Sequence, residues 1–198
     1  MAKSESTLKN MLLSLTLISF CASALLAGGY VLTKEPIEKT LQEKKNTAIK
    51  EVLPKGNIEI GKAVEVKLDN YEDVFVVYPA KENGKFIGCA IETYDNNAYG
   101  GKVKSMVGLN AEGKVINYSI LEANETPGLG AKVSDWFKHK GDIRGKDPAS
   151  ESFQVKKDGG EIDAITAATI TSRAFLASVK AAYQAFIQYQ EQQKQEYP

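Results

Sequence analysis

The chain has 198 residues, in which 25 Lys and Arg are balanced by 25 Asp and Glu. The basic excess typical of nucleic-acid-binding proteins is therefore missing, and we expect no nucleic-acid partner. The two cysteines, Cys21 and Cys89, do not form a CxxC motif, and the chain has a single histidine, His139. They therefore favour neither an iron–sulfur cluster, nor a c-type haem, nor a His/Cys zinc site, and we expect no metal.

Residues 10–33 contain no Asp, Glu, Lys or Arg. As a helix this segment would be roughly 36 Å long at about 1.5 Å per residue, which is enough to cross a hydrocarbon core of about 30 Å. We therefore predict a cytoplasmic N-terminal tail over residues 1–10 and one transmembrane helix over residues 11–33.

A cleaved signal peptide is the main alternative for this segment, because Ala22-Ser23-Ala24 resembles a cleavage site. The apolar run continues beyond that point through Leu32, so it exceeds the length of about 7–15 residues found in signal-peptide cores. A lipoprotein attached at Cys21 is a weaker alternative, because the bulky Phe20 precedes it. The retained anchor is the favoured interpretation.

Residues 34–56 are predicted to form a stalk helix that leads into a single domain over residues 57–198. One face of this helix carries the apolar residues Ile37, Leu41, Ala48 and Val52. The sequence Pro54-Lys55-Gly56 is typical of a helix end.

Strand patterns follow the stalk. Alternating or continuous β-branched and aromatic residues occur at 63–68, 74–78, 86–94, 103–109 and 115–121. Turn signals separate several of these segments, at Asn83-Gly84 and at residues 110–113. The pattern predicts an antiparallel sheet of about five strands, with a further candidate strand at 153–155.

The C-terminal segment has helical periodicity. Apolar residues recur at Leu176, Val179, Tyr183 and Phe186, and Ile187 widens the stripe. Such a stripe usually packs on a sheet. We therefore predict the α+β class: one transmembrane helix, then a single domain in which helices pack against a twisted antiparallel sheet.

Three segments carry the candidate chemistry, at residues 94–101, 125–130 and 163–172. The glycines of the first two permit positive φ and close backbone approach, although ordinary turns are an alternative for both. Gly128-x-Gly130 is not a dinucleotide fingerprint, because Val133 occupies the last glycine position and no βαβ unit surrounds it.

The third segment places several hydroxyls at the start of the C-terminal helix, where exposed N–H groups and the helix dipole favour a phosphate. Helix capping by Thr169, Thr171 or Ser172 is the alternative. Capping explains one hydroxyl, but it does not explain the small pair Ala167-Ala168, which leaves room for a bulky group beside the chain.

The spacing Asp163-x-x-Thr166-Ala167-Ala168-Thr169 resembles the flavinylation motif Asp-x-x-Ser/Thr-Gly/Ala-Ala-Thr of FMN-binding domains, with Ala167 in place of the commoner glycine. The 125–130 segment and the Tyr99-Gly100-Gly101 turn resemble further hallmarks of that family, in the same order. With the anchor included, nearly the whole chain resembles the G subunits of Rnf ion-translocating electron-transport complexes.

This resemblance implies that a flavin transferase joins FMN through its phosphate to the hydroxyl of Thr169, with Asp163 recognised by the transferase. The implied cofactor-binding residues are Thr166, Ala167, Ala168, Glu125, Thr126, Gly128, Leu129, Gly130, Tyr99, Gly100 and Lys157. Of these, Tyr99 would stack on the flavin ring and Lys157 would lie near the phosphate, unless Lys157 is an ordinary solvated lysine.

The implied function is electron relay, in a complex that couples ferredoxin–NAD electron transfer to ion movement. The implied partners are the other membrane subunits, the flavin transferase and the lipid bilayer. The domain would lie on the outer face of the bacterial cytoplasmic membrane, with no catalytic residue of its own. Two alternatives are the related C subunit of the Na⁺-translocating NADH:quinone reductase and a membrane-anchored interaction domain without flavin.

Overall fold

The computed structural model describes residues 7–196. Positions 1–6 of the predicted N-terminal tail and residues 197–198 of the predicted domain lie outside the described residues. The described helices and strands are α1 (Leu8–Val52), β1 (Ile58–Ile60), β2 (Val64–Val66), β3 (Phe75–Glu82), β4 (Lys85–Ala98), β5 (Gly101–Asn110), β6 (Val115–Ala123), α2 (Val133–Trp136) and α3 (Thr169–Glu196). The chain divides into two units, residues up to Glu43 and residues from Lys44 onward.

The first unit is the part of α1 that ends at Glu43. This helix is long and apolar enough to cross a membrane, as judged by its length and composition. Its large apolar side chains are exposed, as contact with lipid would require. The helix continues through Pro36 to Val52 without a break, so no change in secondary structure marks the boundary that we predict at residue 33.

The second unit is built on one antiparallel sheet, in which β3, β4, β5 and β6 are neighbours in chain order. β1 and β2 pair with the two ends of β3. The tight turn between β3 and β4 is the predicted one, because Asn83 has φ 50° and Gly84 has φ 77°, the positive values that two-residue hairpin turns require. The predicted α+β fold is confirmed.

The details of the strands differ from the prediction at several places. β1 is missing from the predicted strands because it has three residues, two of them exposed, and shows no alternation. β3 runs on to Glu82 and β4 to Ala98, beyond the predicted ends at residues 78 and 94. The predicted strand at 153–155 is wrong: it forms one isolated bridge, from Val155 to Ile162, because a 3₁₀ turn begins at Lys156.

α3 packs on one face of the sheet and closes the main hydrophobic core. The predicted stripe carries this contact: Leu176, Val179 and Phe186 are buried, and Tyr183 and Ile187 are partly buried. Val107 and Leu109 of β5 point into the same core, as the two-residue alternation of a strand requires. The predicted packing of the C-terminal helix on the sheet is therefore observed.

The last turns of α1 lie on the opposite face of the sheet. Ile49 and Val52 are buried there against Met106 of β5. Gly108 permits this approach, since a Cβ at that position would lie 2.0 Å from the carbonyl oxygen of Val52. Within the second unit, the sheet is thus covered on both faces.

Tyr118 of β6 forms two hydrogen bonds with the backbone of residues 133–137, which follow the sheet. Its buried hydroxyl donates a hydrogen bond to the carbonyl oxygen of Val133, at 2.7 Å, and accepts one from the backbone N–H of Phe137, at 3.2 Å. These bonds hold α2 against the sheet, and α2 in turn follows directly on the 125–130 loop.

Candidate functional site

Three parts of the chain line one cavity of about 430 Å³: the turn after β4, the loop after β6 and the start of α3. The lining residues are Tyr99, Glu125, Thr126, Leu129, Gly130, Ala167, Ala168, Thr169, Ile170 and Thr171. The volume lies in the range of about 300–1,000 Å³ that is usual for small-molecule sites. The fold therefore brings together most of the residues that the sequence motifs single out.

Glu125 ties two of these parts to each other. Its carboxylate Oε1 accepts a hydrogen bond from the backbone N–H of Gly100, at 3.0 Å. Its Oε2 occupies the space beside Gly130, where a Cβ would lie 2.0 Å from that oxygen. Gly130 is therefore needed for close packing against Glu125, and Glu125 positions the turn that carries Tyr99.

The 125–130 loop closes on itself beside the cavity. The carbonyl oxygen of Thr126 accepts hydrogen bonds from the N–H groups of Leu129, at 3.1 Å, and Ala131, at 3.3 Å. Gly128 has φ 77°, in the left-handed region that glycine enters without strain. The loop leaves the side chain of Leu129 exposed at the cavity.

Thr169 is the first residue of α3 and is half-buried. The first turn of α3 carries no acidic residue, so the positive end of the helix dipole is not offset there by a carboxylate of its own helix. Ala167 has φ 61°, an unfavourable conformation for any residue with a Cβ. This explains why a glycine suits the same position of the flavinylation motif.

Asp163 lies outside the cavity lining and anchors the segment that leads to it. Its carboxylate pairs with the ammonium group of Lys156, at 2.8 Å, where both side chains are largely exposed. Its carbonyl oxygen accepts a hydrogen bond from Nε1 of Trp136, at 2.8 Å. The motif aspartate thus has a structural role, and its proposed recognition by a transferase stays a prediction.

Several other predicted site residues do not line the cavity. Gly100 contributes its N–H to Glu125, Gly128 borders a neighbouring surface cleft with Trp136, and Thr166 is exposed just before the lining residues. Lys157 lies in the 3₁₀ turn Lys156–Asp158, away from the cavity lining. Its predicted place near the phosphate remains a prediction.

Two lining residues were not predicted to bind the cofactor, Ile170 and Thr171. Ile170 is 50% exposed, which is unusual for a large apolar side chain in the middle of a sequence motif. The sequence marks Thr171 as a candidate helix cap and, like Thr166, as an attachment point that competes with Thr169; in the structure Thr171 is buried and its hydroxyl has no partner in the protein. The available signal was adjacency, because residues 170 and 171 share the first turn of α3 with Thr169.

The residues present fit FMN. The cavity offers an apolar, aromatic side in Tyr99, Leu129 and Ile170 and a hydroxyl-bearing helix start in Thr169 and Thr171. The apolar side suits a flat ring, and the hydroxyl-bearing helix start suits a phosphate. Moreover, the Thr171 hydroxyl is buried without a hydrogen-bond partner in the protein, as is expected of a group that serves a ligand.

Comparison with known proteins agrees with this geometry. The FMN-binding domain family matches residues 98–184. The G subunit of the ion-translocating oxidoreductase complex of Aliivibrio fischeri strain MJ11 is 33% identical over 200 aligned residues, covering 94% of each chain. The G subunit of the Na⁺-translocating ferredoxin:NAD⁺ oxidoreductase complex of Acetobacterium woodii is 35% identical, covering 87% of this chain and 90% of its own.

The family match covers the turn with Tyr99, the 125–130 loop, the motif at 163–169 and most of α3. The prediction of an FMN-binding domain is therefore confirmed. The individual site residues and the covalent bond at Thr169 remain predictions.

Proposed function

Since the chain belongs to the family of G subunits of ion-translocating oxidoreductase complexes, we propose that it is the FMN-carrying electron-transfer subunit of an Rnf-type complex. The observation that carries this proposal is the cavity in which the Tyr99 turn, the 125–130 loop and the start of α3 meet. The name of the A. woodii relative supports ferredoxin and NAD⁺ as the electron-transfer pair.

We propose that FMN is held covalently, by a phosphoester to the Thr169 hydroxyl. Thr169 is half-buried at the N-terminus of a 28-residue helix, where backbone N–H groups favour an anion. A flavin transferase is the proposed partner during maturation. When bound, the flavin supplies the redox chemistry, and the protein holds and orients it.

The lining residues support electron transfer rather than independent catalysis. Among the residues described, the cavity lining contains no His, Lys or Arg, and its single carboxylate, Glu125, accepts the N–H of Gly100. No group in the lining is thus set up as a general acid or base. Tyr99 and Leu129 flank the cavity with exposed apolar surface, which suits the sides of a flavin ring.

We propose that α1 anchors the chain in the cytoplasmic membrane and that the second unit lies on the extracytoplasmic side, beside the other membrane subunits of the complex. The apolar exposed surface of α1 supports the anchor. The C subunit of the Na⁺-translocating NADH:quinone reductase would use the same flavin chemistry. The names of the relatives favour the G subunit.

Intact-mass analysis tests the covalent bond. The chain is co-expressed with a flavin transferase, and we expect its mass to rise by that of FMN less one water. Thr169→Val should abolish this increase and the fluorescence of the band on a denaturing gel, whereas Thr169→Ser should retain part of both, because a phosphoester needs a hydroxyl.

Thr40→Val is the control, because the Thr40 hydroxyl is exposed on α1 and bonds only within its helix, to the carbonyl oxygen of Pro36. Tandem mass spectrometry of the peptide covering 163–173 locates the modification. Flavin on another residue contradicts the assignment of Thr169. A wild-type chain that stays unmodified favours the flavin-free interaction domain.

A further inference from the structure

Among the described residues of α3 that line the cavity, Thr171 alone is fully buried and has a polar atom without a hydrogen-bond partner. Its side chain is 0% exposed, it lines the cavity, and its Oγ1 has no hydrogen-bond partner. A buried hydroxyl without a partner loses its hydration and gains nothing in return, so such groups are rare in folded proteins and call for an explanation.

The backbone at the start of α3 explains why Thr171 has no partner within the helix. A helical Thr or Ser usually donates to the carbonyl oxygen four residues earlier. For Thr171 that residue is Ala167, which precedes the helix and has φ 61°. The left-handed conformation takes the Ala167 carbonyl off the helical path, so the usual acceptor is not in place.

The next residue shows the contrast. Ser172 is also fully buried, but its Oγ donates to the carbonyl oxygen of Ala168, at 2.9 Å. Ser172 Oγ also accepts a hydrogen bond from the backbone N–H of Ile165, at 2.9 Å. The Ser172 hydroxyl is therefore fully used in closing the 163–172 segment, whereas the neighbouring Thr171 hydroxyl is left for something else.

The next turn of α3 packs among apolar residues. Ala174, one turn further along the same face of α3, is buried among Ala98 and Val103 with Ile120 and Ala123. The side chains of this cluster carry no hydrogen-bonding atoms. The cavity that Thr171 lines is where a ligand can reach its hydroxyl.

We propose that Thr171 is a cofactor-binding residue whose hydroxyl hydrogen-bonds the phosphate–ribityl part of the flavin attached at Thr169. The proposal rests on the proposed function. Because Thr171 follows the attachment residue by two positions, the polar atoms of FMN nearest to it along the covalent tether are the phosphate oxygens and the ribityl hydroxyls. A threonine hydroxyl can donate to the former and can donate to or accept from the latter.

A stability cycle with four proteins tests this proposal. The full chain, in detergent, carries either Thr171 or Thr171→Val and is produced without or with a flavin transferase, and each protein is unfolded in urea. In the unmodified chain, Thr171→Val replaces an unpartnered buried hydroxyl by a methyl group, so the folding equilibrium constant should rise by about tenfold. In the flavinylated chain the same change removes a hydrogen bond, so this gain should disappear or reverse.

Ser172→Ala is the matched control, because the Ser172 hydroxyl bonds only to the protein backbone. It should lower the stability of both forms equally. The ³¹P resonance of the flavinylated chain supplies a second readout: Thr171→Val should shift it, and Thr171→Ser should leave it near the wild-type position.

Equal effects of Thr171→Val on the unmodified and flavinylated chains, with an unchanged ³¹P resonance, would overturn the role of Thr171 and leave the proposed function intact. A wild-type chain whose mass shows no flavin after co-expression overturns both. The intact mass of the wild-type protein therefore separates the two failures.

Discussion

At the scale of single residues, Glu125 explains the spacing of two motifs that are far apart in sequence. One carboxylate oxygen binds the N–H of Gly100, and the other fills the space that a side chain at Gly130 would need. Gly100 itself lies so close to the backbone of Asn124 that a Cβ would come within 1.9 Å of its carbonyl oxygen. The two glycines and the glutamate are therefore one packing unit that fixes the Tyr99 turn beside the 125–130 loop.

Ala167 allows a test of backbone strain at the site. A φ of 61° costs a residue with a Cβ about 1–2 kcal/mol. Glycine avoids this strain, but its unfolded chain is more flexible, so folding costs it about 0.4–1 kcal/mol more conformational entropy than alanine. Ala167→Gly should therefore stabilise the protein by about 0.5–1 kcal/mol. Urea unfolding, followed by the fluorescence of Trp136, measures the change.

Gly128→Ala is the matched reverse change. Gly128 has φ 77°, and a Cβ there would meet no other atom within 4 Å, so only the backbone conformation opposes the substitution. It should destabilise the protein by about the amount that Ala167→Gly gains. Destabilisation by Ala167→Gly would contradict the backbone strain that we assign to residue 167.

At the scale of elements, an ion cluster joins the end of α1 to the sheet. The carboxylate of Glu92 in β4 is largely buried and contacts the ammonium groups of Lys45, at 2.7 Å, and Lys104, at 2.5 Å. Burial raises the pKa of Glu92, but the hydrogen bonds from Lys104 and Lys45 outweigh burial and hold this pKa below its ordinary value of 4.5. The cluster adds an ionic contact to the apolar packing of Ile49 and Val52 against Met106.

Glu92→Gln should cost about 2 kcal/mol of unfolding free energy at pH 7, because it leaves two lysines without their buried counter-charge. A carboxylate whose pKa is lowered by folding stabilises the protein above its unfolded pKa, near 4.5, and loses this effect as the pH falls through its folded pKa. The difference between wild type and variant should therefore shrink between pH 5 and pH 3. Urea unfolding across this pH range measures it.

Glu65→Gln is the control for this change, because Glu65 is an exposed residue of β2. It should alter the unfolding free energy by less than about 0.5 kcal/mol. A loss for Glu92→Gln that is the same at pH 7 and pH 3 would show that the Glu92 charge does not stabilise the fold.

The same elements show what the sequence can and cannot predict. Strands β3 to β6 have enough alternating residues to be recognised, whereas β1 depends on pairing with β3 and carries no pattern of its own. The motif residues that gather at the cavity were identifiable from their types and order. The hydrogen bond from Gly100 to Glu125 was not, because it depends on the register that brings the ends of β4 and β6 together across β5.

At the scale of the whole molecule, the two units have surfaces of opposite character. The described part of the first unit exposes leucine, isoleucine and phenylalanine side chains along residues 8–32, whereas the second unit buries most of its large apolar residues in cores on the two faces of its sheet. A surface of the first kind is stable in lipid and aggregates in water. The surface of the first unit therefore suits lipid, whereas the surface of the second unit does not require it to be buried in lipid.

Substitutions by arginine test whether residues 11–33 span the membrane in the mature protein. Leu25 and Leu41 are both exposed apolar residues of α1, 77% and 58% exposed, but only Leu25 lies inside the predicted span. Leu25→Arg places a charge near the middle of the hydrocarbon core, at a cost of about 2.5–3.5 kcal/mol, so it should weaken retention in the membrane fraction after a high-salt wash. Leu41→Arg should leave retention unchanged. A wild-type protein whose N-terminus maps near Gly28 would instead reveal a cleaved signal peptide.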